Sequence, residues 1–188
     1  MRWLLGDQLG PHFLGPDDAP GDDGSEEVLL IESRAAFGRR RYHRAKAHLV
    51  LTAMRHRARE LGDRATYIQA SDFDSGLKDQ SGLSVCAPTS YATRRLATRA
   101  GAQVLPARGF VTSEAQFDAW ANGRRRMLLE DFYRTARRRT GILMVGDEPE
   151  GGRWNFDADN RLPPPKGADR LPIAAPRYPQ EDDIDAEV

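Results

Sequence analysis

The stretch VLLIES, residues 28–33, decides the fold of this 188-residue chain. Its first four residues are apolar without interruption, which is typical of a strand that is buried on both faces. Strands of this kind lie in parallel sheets that carry helices on each side. Residues 28–31 are therefore predicted to form a strand of an α/β domain that is buried on both faces.

Strand and helix signals alternate along the rest of the chain. Four further apolar runs predict strands, at 3–5, 65–68, 83–86 and 103–105. Apolar spacing, capping residues and terminal glycines predict helices, at 42–61, 91–100, 113–120 and 125–139. The last helix would turn four residues inward, Met127, Leu128, Phe132 and Ala136. Because alternating strands and helices form βαβ units, we expect an α/β, Rossmann-like fold with a mostly parallel five-stranded sheet and helices on both faces.

Residues 1–145 are expected to form this domain, with a mobile Gly-, Pro- and Asp-rich loop at 10–25. Residues 146–188 are expected to form a docked extended segment and the start of a linker. Within GGRWNFDADNRLPPPKG, residues 151–167, Trp154 and Phe156 are larger than a linker needs. We expect these two side chains to dock onto the α/β domain or into a groove between domains. The prolines at 163–165 would form a stiff, extended exit, and residues 168–188 have the composition of a disordered tail.

The composition is typical of a soluble globular protein, with 39% hydrophobic and 30% charged residues. No apolar run approaches the roughly 20 residues of a membrane span, and the start does not resemble a signal peptide, so the predicted location is cytoplasmic. The single cysteine, Cys86, excludes an internal disulfide framework and a cysteine-based zinc or iron–sulfur site in this chain. The four histidines show no metal-binding spacing, and we predict no metal site.

Charge is segregated although the formal net charge is zero. Basic side chains concentrate at 34–64 and 124–139, and acidic ones at 17–27 and after residue 180. The basic stretches are either solvated helix surfaces or faces that contact nucleic acid. The sequence leaves both alternatives open.

Polar residues follow the first two predicted strands. In parallel α/β sheets, ligands bind at the carboxyl ends of strands, where the strand order reverses. Gly6, Asp7 and Gln8 follow the first predicted strand, and Glu32 and Ser33 follow the second. The glycine patterns of dinucleotide and P-loop sites are absent. Asp7 and Glu32 could hydrogen-bond a polar heterocycle or serve as ordinary turn and helix-start residues.

Four stretches of the chain together resemble one family: LLGDQL at 4–9, ESRAAFGRRRYHRAKAHLVLTAMRH at 32–56, LLEDFYRTARRRTGILM at 128–144 and GGRWNFDADNR at 151–161. They are similar to the photolyase-related branch of the photolyase/cryptochrome family, the bacterial iron–sulfur cryptochromes and (6-4) photolyases. The resemblance extends over essentially the whole chain and implies an N-terminal α/β antenna domain. In this family a helical domain follows, which holds FAD, a four-cysteine [4Fe-4S] cluster and the DNA lesion pocket.

The resemblance also implies which parts are present. Because the sequence stops at Val188, we expect the catalytic FAD domain to be absent, so this chain is a fragment or a truncated product with no catalytic residues of its own. The parent family catalyses lyase chemistry on deoxyribodipyrimidine or (6-4) lesions; we expect no such activity from this chain alone. The expected ligand is a 6,7-dimethyl-8-ribityllumazine-type antenna chromophore, held by Gly6, Asp7, Gln8, Glu32, Ser33 and Lys46. The expected partners are this chromophore, the FAD domain of the full-length protein and, weakly and non-specifically, DNA.

Two other interpretations remain open at this stage. One is an arginine-rich α/β domain that binds nucleic acid or acts as a scaffold. The other is a structural remnant that binds neither chromophore nor DNA. A lumazine-like or flavin-like absorbance band would favour the antenna interpretation over both.

Overall fold

The computed structural model describes residues 1–39, 42–157, 163, 166–167, 174–175 and 177–188. The described chain groups into two compact units, residues 1–110 with 180–188, and residues 111–179. The expected boundary between an antenna domain and a docked segment, after residue 145, remains a prediction.

The first unit contains a parallel sheet of five strands, which confirms the predicted fold class. The strands are β1 (Arg2–Leu4), β2 (Val28–Ser33), β3 (Ala65–Ala70), β4 (Ser84–Cys86) and β5 (Gln103–Leu105). Their order in the sheet is β3-β2-β1-β4-β5, and every neighbouring pair is parallel. Strands β2 and β3 therefore lie on one side of β1, and β4 and β5 lie on the other side. The strand order reverses between β1 and β4.

Helices cover both faces of this sheet. They are α1 (Arg34–Gly38), α2 (Arg44–Leu61), α3 (Phe73–Leu77) and α4 (Tyr91–Arg99). Leu29 and Ile31 of β2 pack with residues of α3 and α4, whereas Val28 and Leu30 pack on the α2 side. The uninterrupted apolar run of β2 is therefore explained, because alternate side chains enter two separate cores.

Two segments of the first unit are more ordered than the sequence suggests. Phe13 and Leu14, within the loop expected to be mobile, are buried in the core on the α2 side. The expected disordered tail is wrong for its last residues, because Asp183–Glu187 forms a helix, α7, capped by the Asp182 side chain. Ile184 of α7 is only 5% exposed, and His48 of α2 hydrogen-bonds the carbonyl of Asp185.

The second unit contains α5 (Glu114–Ala121), α6 (Leu129–Thr140) and a two-stranded hairpin, β6 (Met144–Val145) and β7 (Glu148–Pro149). Ser113 and Gln116 form a capping box at the start of α5, which confirms the helix predicted at 113–120. Helix α6 begins at Leu129, later than predicted, and Met127 and Leu128 precede it and are 59% and 40% exposed rather than inward. The acids Glu130 and Asp131 in the first turn favour this start, because they complement the positive end of the helix dipole.

Trp154 lies on α6. Its ring centroid is 4.6 Å from the guanidinium carbon of Arg138, and Arg134 and Arg137 approach the same ring at 5.4 and 5.5 Å. Trp154 is half-buried, whereas Phe156 is 41% exposed. Residues 158–162, and Pro164 and Pro165 of the expected extended exit, lie outside the described residues. No helix in the described part of the chain is long and apolar enough to cross a membrane.

Candidate ligand-binding site at the sheet edge

The carboxyl end of β1 enters a tight turn at the point where the strand order reverses. The backbone N–H of Gln8 donates to the Leu5 carbonyl at 2.8 Å, which closes the turn. Gly6 lies under α2: a Cβ atom at this position would be 3.1 Å from Val50 Cγ1 and 3.3 Å from Met54 Sδ. A small residue therefore allows the turn to approach the helix closely.

Gln8 joins this turn to the end of β4. Its side chain is 3% exposed, and Nε2 donates to the Cys86 carbonyl at 3.1 Å, with the Ala87 carbonyl at 3.5 Å. These two carbonyls determine the orientation of the amide, because only the NH₂ group can donate to them. The other amide atom, Oε1, is buried and has no hydrogen-bond donor among the described residues. An unsatisfied buried acceptor costs about 1–3 kcal/mol, so a donor that reached this atom would be favoured.

Asp7 connects the loops that follow β1 and β4, and its side chain is exposed. Its Oδ2 accepts a hydrogen bond from Thr89 Oγ1 at 3.0 Å. Thr89 directly precedes Ser90, which caps the N-terminus of α4. Thr89 was not among the residues predicted from the sequence, although it follows β4 as Asp7 follows β1. Gly6, Asp7, Gln8 and Thr89 thus come together between the ends of β1 and β4, and we call this place the β1–β4 crevice.

The Glu32 carboxylate faces α2. Arg55 binds both of its oxygens, from Nε at 3.1 Å and from Nη2 at 3.2 Å, and the Tyr67 hydroxyl donates to it as well. Burial raises the pKa of Glu32, but the hydrogen bonds from Arg55 and Tyr67 outweigh burial and hold this pKa below its usual value. Burial and the adjacent carboxylate raise the pKa of Tyr67 well above that of a free phenol. Glu32 is therefore saturated by protein donors.

Ser33 and Lys46 have separate surroundings. Ser33 is 2% exposed and accepts a hydrogen bond from the Ala36 amide, which caps α1. Lys46 is exposed, with Nζ 5.6 Å from the centroid of the Tyr42 ring. Across the described residues, no hydrogen bond joins Glu32, Ser33 or Lys46 to the β1–β4 crevice. The membership of these three residues in one ligand site remains a prediction.

The arginines of α6 make contacts within their own unit. Arg134 pairs with Glu130, and Arg139 donates to the Val111 carbonyl and Thr112 Oγ1. Arg137 is 7% exposed and donates to the carbonyls at residues 142 and 143. These contacts occupy part of the basic face that the sequence left as a nucleic-acid candidate.

One cluster of potential metal ligands occurs in the described part of the chain. One ligand atom each of His56, Asp182 and Asp185 lies within 4.8 Å of the others. The Asp182 carboxylate already accepts hydrogen bonds from His56, from Arg59 and from the capped end of α7. The cluster is thus explained by the docking of α7 on α2.

A parallel sheet with polar residues converging where its strand order reverses is typical of α/β ligand-binding domains. Comparison with known proteins gives the family. The family model of deoxyribodipyrimidine photo-lyase-related proteins matches residues 2–188, and the chain belongs to this family. A (6-4) photolyase from Agrobacterium fabrum (strain C58 / ATCC 33970) is 34% identical over 197 residues, which cover 94% of this chain. The chain spans 38% of the length of that relative. The resemblance stated from the sequence is confirmed at this level.

Proposed function

We propose that this chain binds an antenna chromophore within a photolyase-related flavoprotein of DNA repair or light sensing. The observation that carries this proposal is the buried, unsatisfied Oε1 of Gln8 at the point where the strand order reverses. Ligands of parallel α/β domains bind at this point. A ligand donor at Gln8 would remove the desolvation cost of the buried acceptor.

A 6,7-dimethyl-8-ribityllumazine-type chromophore fits the polar groups of the crevice. Its ring N–H and ribityl hydroxyls are donors, and the crevice offers two acceptors, Gln8 Oε1 and the Asp7 carboxylate. When bound, such a chromophore absorbs light and transfers excitation energy to a flavin. The protein's contribution is to hold the ring in one orientation, which the closed turn at Leu5–Gln8 favours because it fixes the acceptors.

The remaining chemistry of the parent family is proposed to lie outside this chain. Most of the length of the Agrobacterium relative lies beyond the matched region. This sequence has one cysteine, so it cannot supply the four ligands of a [4Fe-4S] cluster. We therefore assign FAD, the cluster and lesion repair to a partner domain, and expect no repair of damaged DNA by this chain with added reduced FAD. Lesion repair above the free-flavin background would contradict that assignment.

The proposal is tested by removing the exposed acceptor of the crevice. Asp7→Ala should weaken lumazine binding by roughly tenfold to a hundredfold, since a hydrogen bond to a charged group contributes about 1.5–3 kcal/mol. The matched control is Asp79→Ala, which removes an exposed loop carboxylate that is not in the crevice. Fluorescence titration gives the affinities, and thermal unfolding verifies the fold of each variant. Equal affinities for the two variants would place the chromophore elsewhere.

A further inference from the structure

A second cleft lies at the edge of the sheet, on the face that α3 and α4 cover. Helices α1, α3 and α4 line it, and its volume is about 420 Å³. Small-molecule sites typically occupy roughly 300–1,000 Å³. The cleft does not include Gly6, Asp7 or Gln8, so it is separate from the β1–β4 crevice.

Part of the cleft wall is apolar and aromatic. Phe73 and Leu96 line it, together with Ala35 and Ala36 of α1. The Phe73 ring packs edge-on against the buried Trp3 ring, with centroids 6.0 Å apart. This contact holds Phe73 in place, and its ring offers a flat surface to a planar ligand.

Three arginines and two acids also line the cleft. Asp74 is neutralised by Arg99, which approaches its two oxygens at 2.6 and 2.9 Å. Asp72 caps α3, where its Oδ1 accepts a hydrogen bond from the Ser75 amide at 2.7 Å. Both acids therefore have partners from the protein.

The other two arginines that line the cleft are Arg39 and Arg95. Neither guanidinium has a hydrogen-bond acceptor or an ion-pair partner among the residues that the structure describes. Arg95 also lies one turn from Arg99 on α4, where like charges repel. Within the described part of the chain, the cleft thus combines an aromatic wall with two arginines whose donors are available to an anion.

We propose that this cleft binds a mononucleotide, with the aromatic base against Phe73 and the phosphate monoester at Arg39 and Arg95. Arginine suits this ligand because its planar fork donates two parallel hydrogen bonds to a phosphate. The cleft is a site additional to the chromophore crevice. The inference does not rest on the proposed antenna function.

Calorimetric titrations of the full chain test this inference with paired ligands. AMP should bind at least about tenfold more tightly than adenosine, because only AMP carries the phosphate. FMN and riboflavin form a second pair with a different ring, which shows whether the site selects the base. Arg39→Gln and Arg95→Gln should each weaken binding of the phosphorylated ligand about tenfold or more and leave the dephosphorylated ligand unaffected.

Two controls make the result specific. Arg125→Gln removes an exposed guanidinium that does not line the cleft and should leave AMP binding unchanged. Asp7→Ala should also leave it unchanged, which separates this cleft from the β1–β4 crevice. Equal binding of AMP and adenosine, an equal loss in Arg125→Gln, or binding of inorganic phosphate as tight as that of AMP would each overturn the assignment.

Discussion

At the scale of single residues, Glu32 shows why a strand-end carboxylate is ambiguous in a sequence. Its position at the carboxyl end of β2 suggested a ligand contact, yet Arg55 and Tyr67 satisfy its oxygens. Both partners are more than 20 positions away in the chain, so no local sequence pattern predicts these contacts. The sequence left the same two roles open for Asp7, a ligand contact or an ordinary turn residue. In the structure Asp7 is exposed at the crevice. Strand-end reasoning predicted Gly6, Asp7 and Gln8 as site residues, which remains a prediction, and it did not distinguish carboxylates with protein partners from those without them.

Glu32→Gln should destabilise the chain in a pH-dependent way. The pKa of Glu32 is lowered in the folded state, so its stabilising effect is present above the unfolded-state pKa and is lost as pH falls through the folded-state pKa. The loss of a charged hydrogen-bonded pair costs about 1.5–3 kcal/mol near neutral pH. Urea unfolding from about pH 7 to about pH 3 should show parent and variant converging at low pH.

The matched control is Glu27→Gln, at an exposed carboxylate. It should leave the free energy of unfolding within about 0.5 kcal/mol of the parent value across the same range. A constant difference between parent and Glu32→Gln at all pH values would contradict the ionised pair with Arg55.

Gly6 and Gly38 provide a second comparison at this scale. Gly6→Ala should lower the free energy of unfolding by about 1–3 kcal/mol, because the new methyl group crowds Val50 and Met54 under α2. A Cβ at Gly38 would meet no atom within 4 Å, so Gly38→Ala should be neutral or slightly stabilising in its helix. Urea unfolding measures both; equal effects would show that the turn does not press on α2.

At the scale of elements, the sequence predicted the five strands of the parallel sheet and the longer helices and missed the short helices. Strand β2 was predicted because burial on both faces requires an uninterrupted apolar run. Helices α1 and α3, of five residues each, are too short to show a helical period. Helix α7 was missed because its one buried apolar residue, Ile184, stands among acids and docks on α2, far away in sequence.

Trp154 tests the docking of the segment after β7. Trp154→Ala should lower the free energy of unfolding of its unit by about 1–3 kcal/mol, since the half-buried ring contacts three arginines of α6. Tyr178→Ala is the control, because Tyr178 is 84% exposed, and should change stability by less than about 0.5 kcal/mol. Hydrogen exchange of the α6 amides measures the effect locally. Unchanged protection of α6 in Trp154→Ala would mean that the ring does not hold this segment.

At the scale of the whole molecule, the basic stretches bear on contact with DNA. Arg134, Arg137 and Arg139 are engaged within their own unit, which leaves fewer cations for phosphates than the sequence suggests. We expect DNA binding by this chain to be weak, to fall steeply with salt and to show no preference for damaged duplex. Fluorescence anisotropy with intact and (6-4)-damaged duplexes measures this. A lesion preference near physiological salt would show that the chain reads DNA directly.

Binding of 6,7-dimethyl-8-ribityllumazine at the β1–β4 crevice can be measured directly by NMR titration of the isotopically labelled chain. The side-chain amide of Gln8 and the backbone amides of Gly6, Asp7 and Thr89 should shift together and saturate at one ligand per chain. Arg39 and Arg95, which lie at the other cleft, should shift little. Absence of saturable shifts at the crevice, or shifts centred on the other cleft, would contradict an antenna site at Gln8.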